Sequence, residues 1–306
     1  MEPMNENEDA ELKESRFITY LTVTAKIAAY IFLMFVLTAV CLLFTKLFQL
    51  LFPTLEVSGI WDDMIQQTCL LAGTILTALI LLKSWDHLPF ANLGLSLKGR
   101  AKDIFWGTLV ALIIYVVGFG VLYGLGEVTV VAVHFSVNDL LISWVLMLLV
   151  AVTEEVAFRG FVLGHLLNAG INRFTALLLS SALFSLMHIF NPNFSVIAFL
   201  NIFLAGVLMG STYVYTRNLC FPIALHLFWN WFQGPVLGFG VSGGNYDNTL
   251  LTLNFPEENL INGGAFGFES SILCTALIVI AIVVILRLHD KFRIRQLLSY
   301  NKILPE

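Results

Sequence analysis

The chain has 306 residues, of which 58% are hydrophobic and only 12% charged, with a formal net charge of −5. A soluble chain carries about a quarter charged residues, so the deficit excludes an ordinary soluble globular protein and predicts a polytopic membrane protein. No basic, aromatic-interleaved stretch suggests a nucleic-acid surface.

Residues 1–16 hold Glu2, Glu6, Glu8, Asp9, Glu11 and Glu14 and read as an acidic, solvated cytoplasmic tail. The tail lacks the basic start, short apolar run and small-residue cleavage site of a secretory signal, and is expected to be retained. Eight apolar runs follow, near 25–47, 64–83, 104–124, 140–167, 173–190, 195–216, 219–239 and 271–288. Each approaches the roughly 20 residues, at about 1.5 Å apiece, that a helix needs to cross a hydrocarbon layer. The seventh is the least regular, because Pro222, Pro235 and several glycines interrupt it. The predicted fold class is therefore all-α, a bundle of about eight transmembrane helices over 17–290, with a basic tail over 291–306.

Basic residues orient the bundle. Lys83, Lys98, Arg100 and Lys102 lie between the second and third runs, Arg173 between the fourth and fifth, Arg217 between the sixth and seventh, and Arg287, Lys291, Arg293, Arg295 and Lys302 at the C-terminal end. The alternate loops 48–63, 126–138, 191–194 and 240–269 have no Lys or Arg, and Lys46 at the outer end of the first run is the one departure. The positive-inside rule then places both termini in the cytoplasm of an integral multi-pass protein, expected in the plasma membrane. The stretch Ser84–Lys98 mixes aromatic, apolar and basic residues and is expected along the cytoplasmic interface. Loop 240–269 is polar and turn-rich. Cys41, Cys69, Cys220 and Cys274 fall in or beside apolar runs, form no close-spaced pair and read as small apolar fillers.

The fourth run carries Thr153-Glu154-Glu155-Val156-Ala157-Phe158-Arg159-Gly160. A carboxylate at the centre of a spanning helix costs roughly 2.5–3.5 kcal/mol on insertion scales, so adjacent glutamates there read as a functional site. Glu155 and Arg159 are four apart and share a face where they pair, while Glu154 lies about 100° round the helix and is left for chemistry. In the fifth run Phe184 lies one turn before His188 and buttresses its ring. Counted from the Asn168–Asn172 hairpin, Glu154 and His188 fall at nearly equal depth and are expected to meet. In the seventh, His226 and Asn230 share a face. The predicted chemistry is Glu154 as general base on a water, His188 orienting that water or sharing its proton, and His226 with Asn230 donating hydrogen bonds to a developing oxyanion.

Glu-Glu-x-x-x-Arg, then Phe-x-x-x-His, then His-x-x-x-Asn on three separate apolar runs resembles the CAAX protease and bacteriocin-processing (CPBP, or Abi) family of intramembrane endopeptidases. The resemblance spans about Ala151 to Trp231, within a protease core over about 139–239. It implies hydrolysis of a peptide bond inside the membrane, with functional positions at Glu154, Glu155, Arg159, His188, His226 and Asn230. The substrate it implies is the C-terminal tripeptide of a prenylated CAAX protein or a peptide precursor such as a bacteriocin leader. Two mechanisms stay open. Glu154, His188 and His226 with a water would suit tetrahedral zinc with an open position, and the same residues without a metal would make a glutamate protease. The reading leans toward a metal-free or weakly metal-bound site.

His87, His134 and His289 are expected at run ends or in loops. His165, eleven residues after Glu154, is expected at the cytoplasmic interface or along an access path. A cavity opening toward the cytoplasmic hairpin is predicted from the depth of Glu154. Two other readings compete: a non-catalytic membrane immunity or scaffold protein of the same fold, and a transporter, for which no paired repeats or matching broken helices appear.

Overall fold

The computed structural model describes residues 6–52 and 57–301. The first residues of the acidic tail, loop residues 53–56 and the last of the basic tail lie outside it, as do the side chains of 6–13 and 289–301, His289 among them. All eight predicted apolar runs are helical. The helices are α1 (Glu6–Leu51), α2 (Ile60–Leu81), α3 (Ala101–Gly124), α4 (Val137–Glu155), α5 (Gly164–Asn168), α6 (Arg173–Leu186), α7 (Val196–Thr216), α8 (Cys220–Trp231) and α9 (Ile272–Asn301).

Five helical stretches are long and apolar enough to cross a membrane, namely Glu14–Leu51, Ile60–Asp86, Ala101–Gly124, Val137–Asn168 and Val196–Thr216. Arg173–Leu186 and Ile272–Leu288 are shorter apolar helices. Large apolar side chains such as Phe32, Phe44, Phe105 and Val116 point outward from these helices, the surface a multi-pass membrane protein presents to lipid. The described part of the tail is not a loose extension: α1 begins at Glu6.

Side-chain caps set several helix starts. Ser136 accepts from the Asp139 N–H at 3.3 Å, Asn172 from Phe174 at 3.0 Å and Ser195 from Ala198 at 3.1 Å, each occupying an amide that has no partner within its helix. Small residues bring the helices together. A Cβ on Gly107 of α3 would fall 2.6 Å from the Phe221 carbonyl of α8, and one on Gly206 of α7 would fall 2.9 Å from the Ser181 Cβ of α6. Between α1 and α2 the thiols of Cys41 and Cys69, far apart in sequence, stand 2.7 Å apart.

Three features depart from the sequence reading. First, the helix through the paired glutamates is not uniformly α: Val156–Leu163 winds as a π-helix between α4 and α5, and a π-turn also ends α2 (Leu82–Asp86) and α8 (Phe232–Val236). Angles counted at 100° per residue therefore fail beyond Glu155. Second, α6 stops at Leu186, so His188 sits in the turn that follows. Third, two loops pair as an antiparallel two-stranded sheet, β1 (Thr129–Val133) with β2 (Leu251–Asn254), in the register Thr129↔Asn254 and Val133↔Leu251, with a bulge between Val130 and Ala132.

The helix directions define two ends. One holds the Asn168–Asn172 hairpin, where Arg217 donates to the Gly164 carbonyl at 3.3 Å and to Asn168 at 3.2 Å. The other holds the β-pair and the segments 187–195 and 237–271.

Candidate active site

Glu155, at the end of α4, is fully buried and joins three helical elements. Its Oε1 accepts from Arg159 Nη1 at 2.7 Å and from His226 Nδ1 of α8 at 2.8 Å. The Arg159 guanidinium also donates to the Gly206 carbonyl of α7 at 3.2 Å and lies 4.4 Å from the centre of the Phe184 ring. A buried charge needs such partners, because leaving it unpaired in an apolar interior is costly. The predicted Glu155–Arg159 pair is present, and its further bond to His226 was not anticipated.

That bond fixes the imidazole. With Nδ1–H given to Glu155, His226 turns Nε2 toward Glu154 Oε2, 3.7 Å away. His188 is held in the same way: its Nδ1 donates to the Phe184 carbonyl at 2.8 Å, the Phe184 ring packs 4.8 Å from the imidazole, and Nε2 faces the same Glu154 oxygen at 3.9 Å. Glu154 itself makes no hydrogen bond among the described residues, and its side chain is 24% exposed where that of Glu155 is 0%. The two glutamates are thus divided as their helical positions predicted.

These groups line a cavity of about 360 Å³. Asn230 also lines it, is 6% exposed and has no hydrogen-bond partner among the described residues, so its amide is free to donate. Of the two expected oxyanion donors, His226 has its Nδ1–H committed to Glu155 and presents only Nε2 to the cavity. Gln67 reaches the site from α2, donating to Thr153 at 3.1 Å.

The cavity lies at the end opposite the hairpin. Asn191, Ser242, Tyr246 and Glu269, all from that end's connecting segments, form part of its wall. Toward the hairpin the interior is filled: Tyr30 stacks on Phe161 at 3.9 Å, and Arg159, Leu163 and Tyr213 are almost completely buried. The predicted opening toward the hairpin is therefore not present. His165 belongs to that packed end, bonded to the Phe161 carbonyl at 2.7 Å and to Asp86 at 2.9 Å, and Asp86 also pairs with Lys26. It lines no path to Glu154. His134 lines a separate hollow with Asp139 and Asp247, and His87 ends the α2 π-turn with φ 55°.

The loop residues were missed by the sequence reading. Glu269 is 7% exposed and accepts from the Trp229 indole at 2.8 Å and from the Ser242 amide and hydroxyl at 2.8 and 3.0 Å. Asn201 of α7 pins the same segment through the Glu269 and Ser271 carbonyls at 2.7 and 2.8 Å. Tyr246 packs on Gly234, where a Cβ would fall 2.9 Å from its ring. Burial pushes the Tyr246 phenol above its ordinary range, and the negative charges of Asp63, Glu269 and Glu154 push it further. One signal was available: Glu269 sits between Phe266, Phe268 and the last apolar run, an unusual setting for a carboxylate.

Glu154, His188 and His226 are the residues that would hold a zinc ion, and their converging atoms stand slightly wider than zinc's donors do. Bonds of about 2.0–2.2 Å in a tetrahedral site set donors roughly 3.3–3.6 Å apart, against 3.7 and 3.9 Å here. No group of three or more His, Cys, Asp or Glu among the described residues is drawn together for a metal ion.

Neither a search of curated proteins nor one of solved structures returned a match. A family model does match, over residues 136–232, the segment that holds Glu154, Glu155, Arg159, His188, His226 and Asn230. Its description is type II CAAX prenyl endopeptidase, Rce1-like, which agrees with the family of peptidases that the three motifs resemble.

Proposed function

We propose that the protein is an intramembrane endopeptidase that hydrolyses a peptide bond in a membrane-associated or lipidated protein or a peptide precursor, using water activated by Glu154. The observation that carries this reading is the convergence of His188 Nε2 and His226 Nε2 on one Glu154 oxygen at 3.9 and 3.7 Å, in a cavity wall. Such separations leave room for one water between the three groups, giving one hydrogen to Glu154 and the other to an imidazole Nε2.

In this mechanism Glu154 takes a proton from the water as its oxygen attacks the scissile carbonyl. His188 and His226 hold the water in line, and the Asn230 amide donates to the oxyanion that forms. Glu154 then returns the proton to the leaving amine. Glu155 and Arg159 touch no substrate; they hold the His226 ring at its angle. The mechanism uses no metal. Activity is expected to survive dialysis against a chelator, and loss that zinc restores would instead assign Glu154, His188 and His226 as ligands.

The protein is further proposed to reside in the plasma membrane with both termini cytoplasmic, as the distribution of Lys and Arg supports. Glu154→Gln tests the function. It keeps the shape of the side chain and removes the base, so the protein should accumulate normally while peptide hydrolysis is lost. Undiminished hydrolysis by the purified variant would overturn the assignment.

A further inference from the structure

Glu269 presents a buried charge without a cation. Its three partners, the Trp229 indole and the Ser242 amide and hydroxyl, are all neutral donors. Among the described residues it forms no ion pair, although Glu155, also buried, has Arg159. The cavity it lines holds a second carboxylate, Glu154, and no Lys or Arg in its wall. Asn230, more than nine-tenths buried and unpartnered, also faces that space. Buried carboxylates are ordinarily paired, and here the missing partner is a cation that would enter the cavity.

The surroundings have the same sign. The loops at this end of the bundle contain no Lys or Arg and carry Glu127, Asp247, Glu257 and Glu258, and the first turn of α2 adds Asp62 and Asp63. Lys46, on the last turns of α1, is the exception, and it does not line the cavity. Such a field attracts a cationic segment and repels a free carboxylate.

We propose that Glu269 receives a cationic side chain of the bound peptide, so that this site, on the endopeptidase reading above, takes an internal peptide bond near a lysine or arginine rather than a bond close to a free C-terminal carboxylate. Glu269 is then a specificity-determining residue that lies outside the family-matched segment 136–232.

The test uses the full-length chain in detergent micelles, with hydrolysis blocked by Glu154→Gln. The probes are short fluorescent apolar peptides carrying Lys, Gln or Glu at one central position, each with an amidated and a free-acid C-terminus. The Lys peptide is expected to bind about tenfold or more tightly than the Gln peptide, within the range of a charge-assisted hydrogen bond. The Glu peptide should bind least, and the free acids no better than the amides. Adding Glu269→Gln, whose one amide oxygen can keep either the Trp229 bond or the Ser242 bonds, should bring the Lys and Gln peptides level. Equal binding of Lys and Gln peptides with Glu269 in place, no binding, or tighter binding of the free acids overturns the proposal. Should the second substitution prevent folding, the peptide series on the first variant decides alone. Failure of the endopeptidase reading looks different: the binding order holds while the native chain cuts no peptide of the series.

Discussion

Glu155 and Glu154 are adjacent in sequence and opposite in behaviour, and the cause is what each can reach. Glu155 is fully buried and held by Arg159 and His226, so removing Arg159 strands its charge. Arg159→Ala should lower stability by about 3–5 kcal/mol, the usual cost of breaking a buried pair from one side. Thermal unfolding in detergent and the amount of protein in membranes both read that loss. Glu155→Gln should impair stability and activity together, because it also frees the His226 ring. Asn230 behaves otherwise, since it holds nothing together. Asn230→Ala should leave unfolding unchanged and lower kcat by about 10²–10³, the effect of deleting one oxyanion donor, with little change in KM. An unchanged kcat in that variant removes Asn230 from the mechanism.

At the scale of elements, α6 and α7 matter because Arg159 is anchored on the Gly206 carbonyl. A Cβ at Gly206 would stand 2.9 Å from the Ser181 Cβ and 3.1 Å from its Cα, so relief requires the helices to part. Gly206→Val should cost about 1–3 kcal/mol and weaken the 3.2 Å bond from Arg159. Gly120→Ala, with nothing within 4 Å, is the matched control and should be neutral; equal unfolding temperatures for the two would show that the interface is looser than this packing requires. The helices and the three motifs were legible because lipid makes apolar length and buried charge expensive, which leaves both written plainly in composition. The π-helix at Val156–Leu163 was not, since Gly160 and Gly164 fit either winding. The stop of α6 at Leu186 was hidden by continued hydrophobicity through Phe190. The strand Thr129–Val133 was not read from the sequence, because its partner lies more than a hundred residues on. Ser242 and Tyr246 escaped because polar residues in a polar loop carry no signal until the loop is seen to fold against the cavity, and the aromatic setting of Glu269 was the one signal there.

For the whole molecule, charge and cavity lie on one axis. The hairpin end collects Lys83, Arg100, Arg173 and Arg217, while the end bearing the cavity has loops without Lys or Arg. In the orientation proposed above from the positive-inside rule, the hairpin end faces the cytoplasm and the cavity lies toward the external side. The packed layer of Tyr30, Phe161, Leu163 and Tyr213 then separates the cavity from the cytoplasm, so water and substrate must enter from the external end or between helices facing lipid. The wall residues Met34 and Phe35 of α1 and Gln67 and Leu70 of α2 mark that lateral side. Single cysteines placed at Asn168 in the hairpin, Asn248 in the exposed loop and Asn191 in the cavity wall test this, in a background without Cys41, Cys69, Cys220 and Cys274. On intact cells an impermeant maleimide should label Asn248→Cys fast and Asn191→Cys more slowly, and should reach Asn168→Cys only after permeabilisation. Soaking with a peptide that the protein cuts should slow labelling at Asn191→Cys and leave Asn248→Cys unchanged. Labelling of Asn168→Cys on intact cells would invert the orientation, and labelling of Asn191→Cys only from the side that labels Asn168→Cys would mean that the packed layer opens.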